Sequence, residues 1–247
     1  MSFSLPTELA SVSTNTNGQT SWTPTLTGIP SNSLAFLCFD NAGGTGQPTS
    51  VSDGTNSWTN ITGSNDSRSS LDWLSLWFFY YASAPGSLTL TVSFASSNEI
   101  FGYVGFVTGS NPAPSDVSGN SGGGSTSTSP SATTSAVRTA DNELIIWMAG
   151  NHGGTGTPTV TVPTGYTELH TSGSTFYSDA VRVKSANFGY LIDVGGTGTT
   201  ASGTGTNDSS RQWSCGIATF IPGTGGGGGG GGTVPTLFVN RSGLPLR

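Results

Sequence analysis

Two segments of the chain repeat each other, and this repeat limits the folds that the sequence can adopt. SLAFLCFDNAGGTGQPTSV (33–51) aligns without gaps with ELIIWMAGNHGGTGTPTVT (143–161), at an offset of 110 residues. Each copy holds an apolar run, a glycine-rich loop, a Pro-Thr pair and a second β-prone run. The halves also close alike, with GYVGFVTG (102–109) and SCGIATFIPG (214–223). The repeat predicts two halves built from equivalent strands.

The apolar runs have the period of β-strands. In LTLTVSF, the residues Leu88, Leu90, Val92 and Phe94 fall on one face and hydroxyl residues fall on the other, as in a strand with one wet face. No segment has apolar residues at helical spacing between capping residues. The strand candidates are LAFLCF (34–39), LSLWFFYYA (74–82), IFGYVGFVT (100–108), ELIIWMA (143–149), TVTV (159–162), AVRVKSA (180–186), FGYLIDV (188–194) and CGIATFI (215–221).

These strands predict an all-β, antiparallel, two-sheet jelly-roll-like sandwich over residues 1–223. Its halves would span about residues 20–110 and 137–223, and the Gly/Ser/Thr-rich segment 118–136 is predicted to be a mobile linker. One sandwich built by both halves buries more apolar surface than two small domains, so we favour one domain. Two domains are the alternative.

The composition excludes some classes of partner. Only 8% of residues are charged, the net charge is −6, and Lys184 is the one lysine. Nucleic-acid binding needs clustered Lys and Arg, so no nucleic-acid partner is expected. The N-terminal MSFSLPTELA lacks the features of a signal peptide, and no apolar run is long enough for a membrane helix. We expect a chain made in the cytoplasm, without a membrane partner.

The sequence offers few residues for catalysis. His152 and His170 stand in no nucleophile motif, and the GGTG loops lack the lysine and helix of a phosphate-binding loop. Glu99 and Glu143 are the nearest to a placed pair of carboxylates, but solubility at strand edges explains both. We therefore expect no enzyme, no cofactor and no metal site.

The two cysteines, Cys38 and Cys215, each lie within a strand candidate. Two buried thiols are favoured for a chain without a secretion signal. A disulfide between the first and last strands is the alternative.

An aromatic strand is the strongest binding signal. LDWLSLWFFYYASAP (71–85) places four rings on one face and Phe78 with Tyr80 on the other. One face of the strand would pack on the core, and the other would serve as a glycan platform or, as we favour, as a subunit interface. The candidate interface residues are Trp73, Trp77, Phe79 and Tyr81.

Two further tryptophans, Trp58 and Trp213, lie near loop ends. Their positions predict exposed rings, and they are the candidate contacts for a glycan or receptor.

Several strings resemble the jelly-roll modules of tailed-bacteriophage virion proteins, over about residues 20–223. They are VSDGTNSWTNI (51–61), LWFFYYASAPGSLTLTVSF (76–94) and CGIATFIPG (215–223). Such modules often have an Asp-Gly/Ala-x-Asn-x-Trp/Tyr turn, a Trp-Tyr-Ala-x-Ala-x-Gly strand end and a Glu that begins the next strand. The residues at those places are Asp53, Asn56, Trp58, Trp77, Ala82, Ala84, Gly86 and Glu99.

The resemblance implies a non-enzymatic structural protein on the exterior of a phage particle, such as a capsid decoration or fibre protein. It would form an oligomer, a homotrimer in our interpretation, and bind other virion proteins of the capsid or tail. The alternative is an adhesin that binds host surface polysaccharide. A polysaccharide hydrolase is the more distant alternative.

The C-terminal segment has its own composition. Residues 224–232 are almost all glycine and predict a tether, and residues 233–247 form a short β-prone stretch with two prolines. This stretch would dock by strand addition onto another protein or a sister subunit, and a disordered tail is the alternative. The candidate docking residues are Val234, Leu237, Phe238, Val239, Leu244 and Leu246.

Overall fold

The computed structural model describes residues 2–14, 18–42, 46–62, 66–68, 72–97, 99–152, 158–170, 177–179 and 184–223. These residues form strands, turns and connections without an α-helix, and every strand pairing among them is antiparallel. The predicted antiparallel all-β sandwich is confirmed. Within those ranges, no helix has the length and apolarity to cross a membrane.

Eleven strands belong to the first half of the chain. They are β1 (Thr7–Thr14), β2 (Gln19–Trp22), β3 (Thr25–Leu26), β4 (Ser33–Ala42), β5 (Ser50–Ser52), β6 (Thr59–Asn60), β7 (Asp66–Arg68), β8 (Asp72–Tyr81), β9 (Leu88–Thr89), β10 (Thr91–Ser97) and β11 (Glu99–Thr108).

The second half contributes ten strands in the described part of the chain. They are β12 (Ser110–Ser127), β13 (Ser131–Thr133), β14 (Glu143–His152), β15 (Val160–Thr161), β16 (Thr167–Glu168), β17 (Tyr177–Asp179), β18 (Lys184–Asp193), β19 (Ser202–Thr204), β20 (Thr206–Asn207) and β21 (Arg211–Pro222). The two strand candidates at 180–186 and 188–194 form one strand, β18, in the structure. Residues 180–183 lie outside the described ranges.

The large sheets of the two halves have the same strand order. It is β1-β11-β4-β8-β6 in the first half, with β7 also paired to β8, and β12-β21-β14-β18-β16 in the second, with β17 also paired to β18. The strands that carry the repeat, β4 and β14, start at Ser33 and Glu143, which are separated by the offset of the sequence repeat. The predicted pair of equivalent halves is confirmed.

Each half adds smaller sheets to its large sheet. The first half has β2-β10-β5 and β3-β9, and the second has β13-β19 and β15-β20. The described residues thus form six sheets, whereas the sequence predicted two. The additional sheets were missed because their strands are short, so that period-two alternation is hard to recognise in them.

Alternate residues of the repeated strands face two different cores. Leu34, Phe36 and Cys38 of β4 lie in one apolar cluster with Leu144, Ile146 and Met148 of β14, so the large sheets of the two halves pack face to face. The intervening residues of β4 pack on the small sheets of the first half, and those of β14 pack on the small sheets of the second half. Each half is therefore a sandwich, and a third core joins the two sandwiches.

Polar contacts also cross between the halves. Lys184 Nζ lies 3.7 Å from Glu99 Oε2, and both side chains are buried. His170 Nδ1 lies 2.8 Å from Glu8 Oε2 at a partly exposed site. Both contacts join a residue of one half to a residue of the other, in addition to the apolar core between the large sheets.

The segment 118–136 differs from the predicted mobile linker. Residues up to Ser127 belong to the edge strand β12, which pairs with β21, and Ser131–Thr133 form β13, which pairs with β19. The linker prediction is wrong for these residues. Gly, Ser and Thr leave the backbone without local preference, and pairing with β21 supplies the order that the composition does not indicate.

Both cysteines are buried free thiols, as favoured from the sequence. Cys38 lies in the core between the halves, whereas Cys215 lies in the core of the second sandwich. Because their side chains enter different cores, the alternative of a disulfide between them is wrong.

Candidate binding cleft

A cleft of about 380 Å³ opens at one end of the first sandwich. It lies between the turn that follows β5 and the connection from β8 to β9. The lining residues are Asp53, Thr55, Asn56, Tyr81, Ser83, Pro85, Ser87 and Leu88. The size falls within the range of small-molecule sites in proteins.

The carboxylate of Asp53 holds the turn that forms one wall of the cleft. Its Oδ1 accepts the backbone N–H groups of Thr55 at 3.0 Å and Asn56 at 2.6 Å. Its Oδ2 accepts Nδ2 of Asn56 at 2.9 Å and the hydroxyl of Tyr81 at 2.6 Å. Aspartate is favoured at the start of turns because its side chain binds the following backbone in this way.

These bonds set the ionisation of both partners. Partial burial alone would raise the pKa of Asp53, but the hydrogen bonds from Asn56, Tyr81 and the backbone lower that pKa below its usual value. Burial, followed by the hydrogen bond to Asp53, raises the pKa of Tyr81. Asp53 therefore stays an ionised acceptor and Tyr81 a neutral donor, and the carboxylate is already engaged by four groups. The carboxylate of Asp53 therefore serves to stabilise the turn.

Asn56 is the amide group of the cleft. Its Nδ2 donates to both oxygens of Asp53, at 3.3 and 2.9 Å, which fixes the orientation of the amide. No side chain or backbone group of the described residues donates to its Oδ1. The fixed amide therefore presents its Oδ1 to a ligand as an acceptor.

The same end of the second sandwich is closed. Arg138 is 4% exposed, and its guanidinium donates to Asp193 Oδ2 at 2.7 Å and to Thr199 Oγ1 at 2.8 Å. A Cβ at Gly196 would overlap this guanidinium, so the arginine lies flat against the glycine backbone. The offset of the repeat puts Gly28 at the position of Arg138 in the first half.

Glu99 and Glu143, the two residues nearest to a catalytic pair of carboxylates in the sequence, are both fully buried and lie apart in the fold. Glu99 pairs with Lys184 between the halves. The carboxyl of Glu143 accepts the backbone N–H of Ala140 at 3.0 Å and shares a hydrogen bond with Asp116. Burial, followed by the hydrogen bond with Asp116, raises the pKa of Glu143 to about 7. The prediction that strand-edge solubility explains these residues is wrong, because both carboxyls are enclosed by the fold. No group of three or more Cys, His, Asp or Glu in the described ranges is placed to hold a metal.

Trp58 and Trp213 are not exposed. Trp58 is 4% exposed in the core of the first sandwich, and Trp213 is 6% exposed in the core of the second. The prediction of exposed rings is wrong because the small sheets cover both indoles. Neither ring is available to stack on a glycan.

The aromatic strand β8 packs on both faces against other parts of this chain, although Trp77, Phe79 and Tyr80 stay partly exposed. Trp77, Phe79 and Tyr81 pack in the core of the first sandwich, and Phe78 packs against Phe220 of the second half. Trp73 is partly buried. The prediction of a subunit interface at Trp77, Phe79 and Tyr81 is therefore wrong, since the small sheets occupy that face.

The remaining predicted site residues are placed as follows. His170 lies in the connection after β16 and contacts Glu8, and His152 ends β14. The tether 224–232 and the candidate docking residues of 233–247 lie outside the described residues. Of the cleft, the sequence singled out Asp53, Asn56 and Tyr81, and missed the small residues of the β8–β9 connection.

Comparisons of the chain with protein-family models, with curated proteins and with solved structures found no significant match.

Proposed function

We propose that the chain is a non-enzymatic structural protein of a bacteriophage virion, displayed on the exterior of the particle as a capsid decoration or fibre protein. The observation that carries the proposal is the fusion of two equivalent sandwiches through a shared apolar core. Two ion pairs, Lys184–Glu99 and Arg138–Asp193, are formed within the chain. Only 8% of the residues are charged, which leaves few groups for acid–base or nucleophilic catalysis and supports a structural role.

The sequence resemblance supports the same role. The Asp53 to Trp58 turn and the strand end after Tyr81, which resemble phage jelly-roll modules, meet at one end of the first sandwich. The jelly-roll assignment of the two sandwiches is part of this proposal.

The C-terminal segment is the proposed attachment to the particle. Strand β21 ends at Pro222, where Gly223 N–H donates to Gly109 at 2.7 Å, so the sandwich is closed before the glycine run. The glycines would then act as a tether and residues 233–247 would dock on a capsid or tail protein. Homotrimer formation belongs to the proposal, through a surface other than the face of β8 that the small sheets cover.

Electron microscopy of purified particles tests this function. Antibodies raised against residues 1–223 are expected to label the outside of intact virions, and particles that stay unlabelled overturn the proposal. Particles assembled with a chain lacking residues 224–247 should carry no label, while the truncated chain stays folded and soluble. Undiminished labelling with the truncated chain overturns the docking role of the tail. The matched control is the full-length chain with Val194→Ala, a change at an exposed side chain, and it should label particles as the parent does.

A further inference from the structure

We propose that the cleft at the end of the first sandwich binds a neutral carbohydrate, with Oδ1 of Asn56 accepting a hydrogen bond from one of its hydroxyls. The proposal does not depend on the virion role, because it rests on the cleft alone. The sequence predicts glycan contacts at Trp58 and Trp213, but both rings are buried. The cleft lies elsewhere and has no exposed aromatic ring.

The lining has the mixture of groups that a sugar requires. Thr55, Ser83 and Ser87 supply hydroxyls, and Pro85 with Leu88 supply apolar surface for the C–H faces of a ring. A sugar carries hydroxyls around its edge and C–H groups on its faces, so it can use both. Binding sites of this size commonly combine apolar walls with a few placed polar groups.

The amide of Asn56 is held in one orientation before a ligand arrives. Asp53 accepts from its Nδ2, and Asp53 is itself held by the hydroxyl of Tyr81 at 2.6 Å. The carbonyl oxygen can then accept from a sugar O–H, and the hydroxyls of Thr55, Ser83 and Ser87 can donate to neighbouring sugar oxygens. Because this orientation is fixed in advance, less conformational entropy is lost on binding.

The charge of the lining selects against anions. Asp53 is the one charged side chain among the lining residues, and no Lys, Arg or His accompanies it. An acidic sugar, a sulfate or a phosphate would approach an ionised carboxylate without a cation to offset the repulsion. The ligand class is therefore a neutral glycan.

The second half shows that the opening is not a general property of this sandwich. At the same end, Arg138 fills the space and bonds to Asp193 and Thr199. In the first half, Gly28 stands at the repeat position of Arg138 and provides no side chain to close the gap. The two ends therefore differ in their side chains, and the end of the first sandwich is open.

Titrations followed by ¹⁵N-NMR test the proposal on the full chain. The probes are methyl α-glucoside, methyl α-mannoside, methyl β-galactoside and N-acetylglucosamine, with glucuronate and inorganic phosphate as charged probes. At least one neutral probe is expected to shift the amide signals of Thr55, Asn56, Ser83 and Ser87. The proposal is overturned if no neutral probe shifts these signals, if the shifts fall elsewhere, or if only the charged probes shift them.

Two variants separate recognition from folding. Thr55→Trp, at an exposed position, blocks the cleft, and Asn56→Leu removes the amide; each should weaken binding about tenfold or more. The matched control, Thr164→Trp, places the same ring on an exposed turn of the second half and should bind as the parent does. If Asn56→Leu disturbs the turn, Thr55→Trp decides alone, and binding that Thr55→Trp leaves unchanged overturns the site.

Discussion

Tyr81 and Asp193 hold the same position in the two halves of the chain. Tyr81 pairs with Ser33 at the start of β4, and Asp193 pairs with Glu143 at the start of β14. Tyr81 donates its hydroxyl to Asp53 at 2.6 Å, whereas Asp193 accepts from Arg138 at 2.7 Å. The repeated sandwiches thus share their strands and differ at this end, where one is an open cleft and the other is closed by an ion pair.

Replacing Arg138 with alanine should destabilise the protein by about 2 kcal/mol or more. The guanidinium is buried, and its loss leaves Asp193 and Thr199 without their donor and creates a cavity against Gly196. Asp193 is 32% exposed, so water compensates for part of the lost ion pair. Urea denaturation of Arg138→Ala and of the parent measures the difference in the free energy of unfolding.

The matched control for Arg138→Ala is Val194→Ala, at a neighbouring side chain that is 76% exposed. It should change the free energy of unfolding by less than about 0.5 kcal/mol. Equal stability of Arg138→Ala and the control would show that the ion pair does not close this end of the sandwich.

Gly119→Ala tests whether the segment predicted as a linker is a packed strand. Gly119 pairs with Ile217 of β21, and a Cβ there would overlap the carbonyl oxygen of Thr133. Backbone atoms cannot rotate away, so we expect a loss of about 2 kcal/mol or more in the free energy of unfolding. Urea denaturation and the position of the thermal transition measure this loss.

Gly195→Ala is the control for that substitution. Gly195 has no atom within 4 Å of an added Cβ and lies outside the strands, so alanine should be neutral or slightly stabilising. A mobile linker at residue 119 would make the two variants behave alike, and that result would contradict the strand β12.

The strands that carry the repeat could be predicted because their pattern is local. In β4, Leu34 and Phe36 face the core between the halves while Ala35 and Leu37 face the first sandwich, so the strand is apolar throughout. Such a run indicates a strand buried on both faces. The run itself does not say which strands cover each of its faces, because those strands are distant in the sequence.

The order of β12 and the burial of Trp58 depend on residues distant in sequence. β12 has almost no apolar side chains, and its pairing with β21 holds it in the sheet. The backbone N–H of Trp58 donates to the backbone oxygen of Val51 at 2.8 Å. The residue is thereby held beside β5, and its ring packs in the core that the small sheets cover. The cleft was found only in part, because its second wall comes from a loop of small residues that shows no pattern of its own.

The thiols of Cys38 and Cys215 should not react with Ellman's reagent in the native protein. Both side chains are buried, and burial raises the pKa of Cys38, which further lowers its thiolate fraction. In denaturant without reductant, both thiols should react, and Cys38→Ser should leave one. A count of zero in denaturant would instead indicate a disulfide.

Glu143 should make the protein less stable as pH rises from about 4.3 to about 7. The pKa of its carboxyl is about 7 in the folded chain, raised by burial and by the neighbouring Asp116, against about 4.3 in an unfolded chain. Between these values the folded state keeps a proton that the unfolded state has released, so the free energy of unfolding falls as pH rises. Below about 4.3 both states hold the proton, and above about 7 neither does.

The measurement compares Glu143→Gln with the parent by urea denaturation at pH 4.5 and pH 8. Glutamine keeps a neutral group beside Asp116, so the variant should match the parent at the lower pH and exceed it by about 1–3 kcal/mol at the higher pH. Glu168→Gln removes the same unit of charge and retains the oxygen that accepts from Asn187, so it should show no such gain. Asp116→Asn should recover only part of the gain, since burial remains the larger cause of the raised pKa. A gain that is equal for Glu143→Gln and Glu168→Gln would assign the effect to net charge rather than to the buried carboxyl of Glu143.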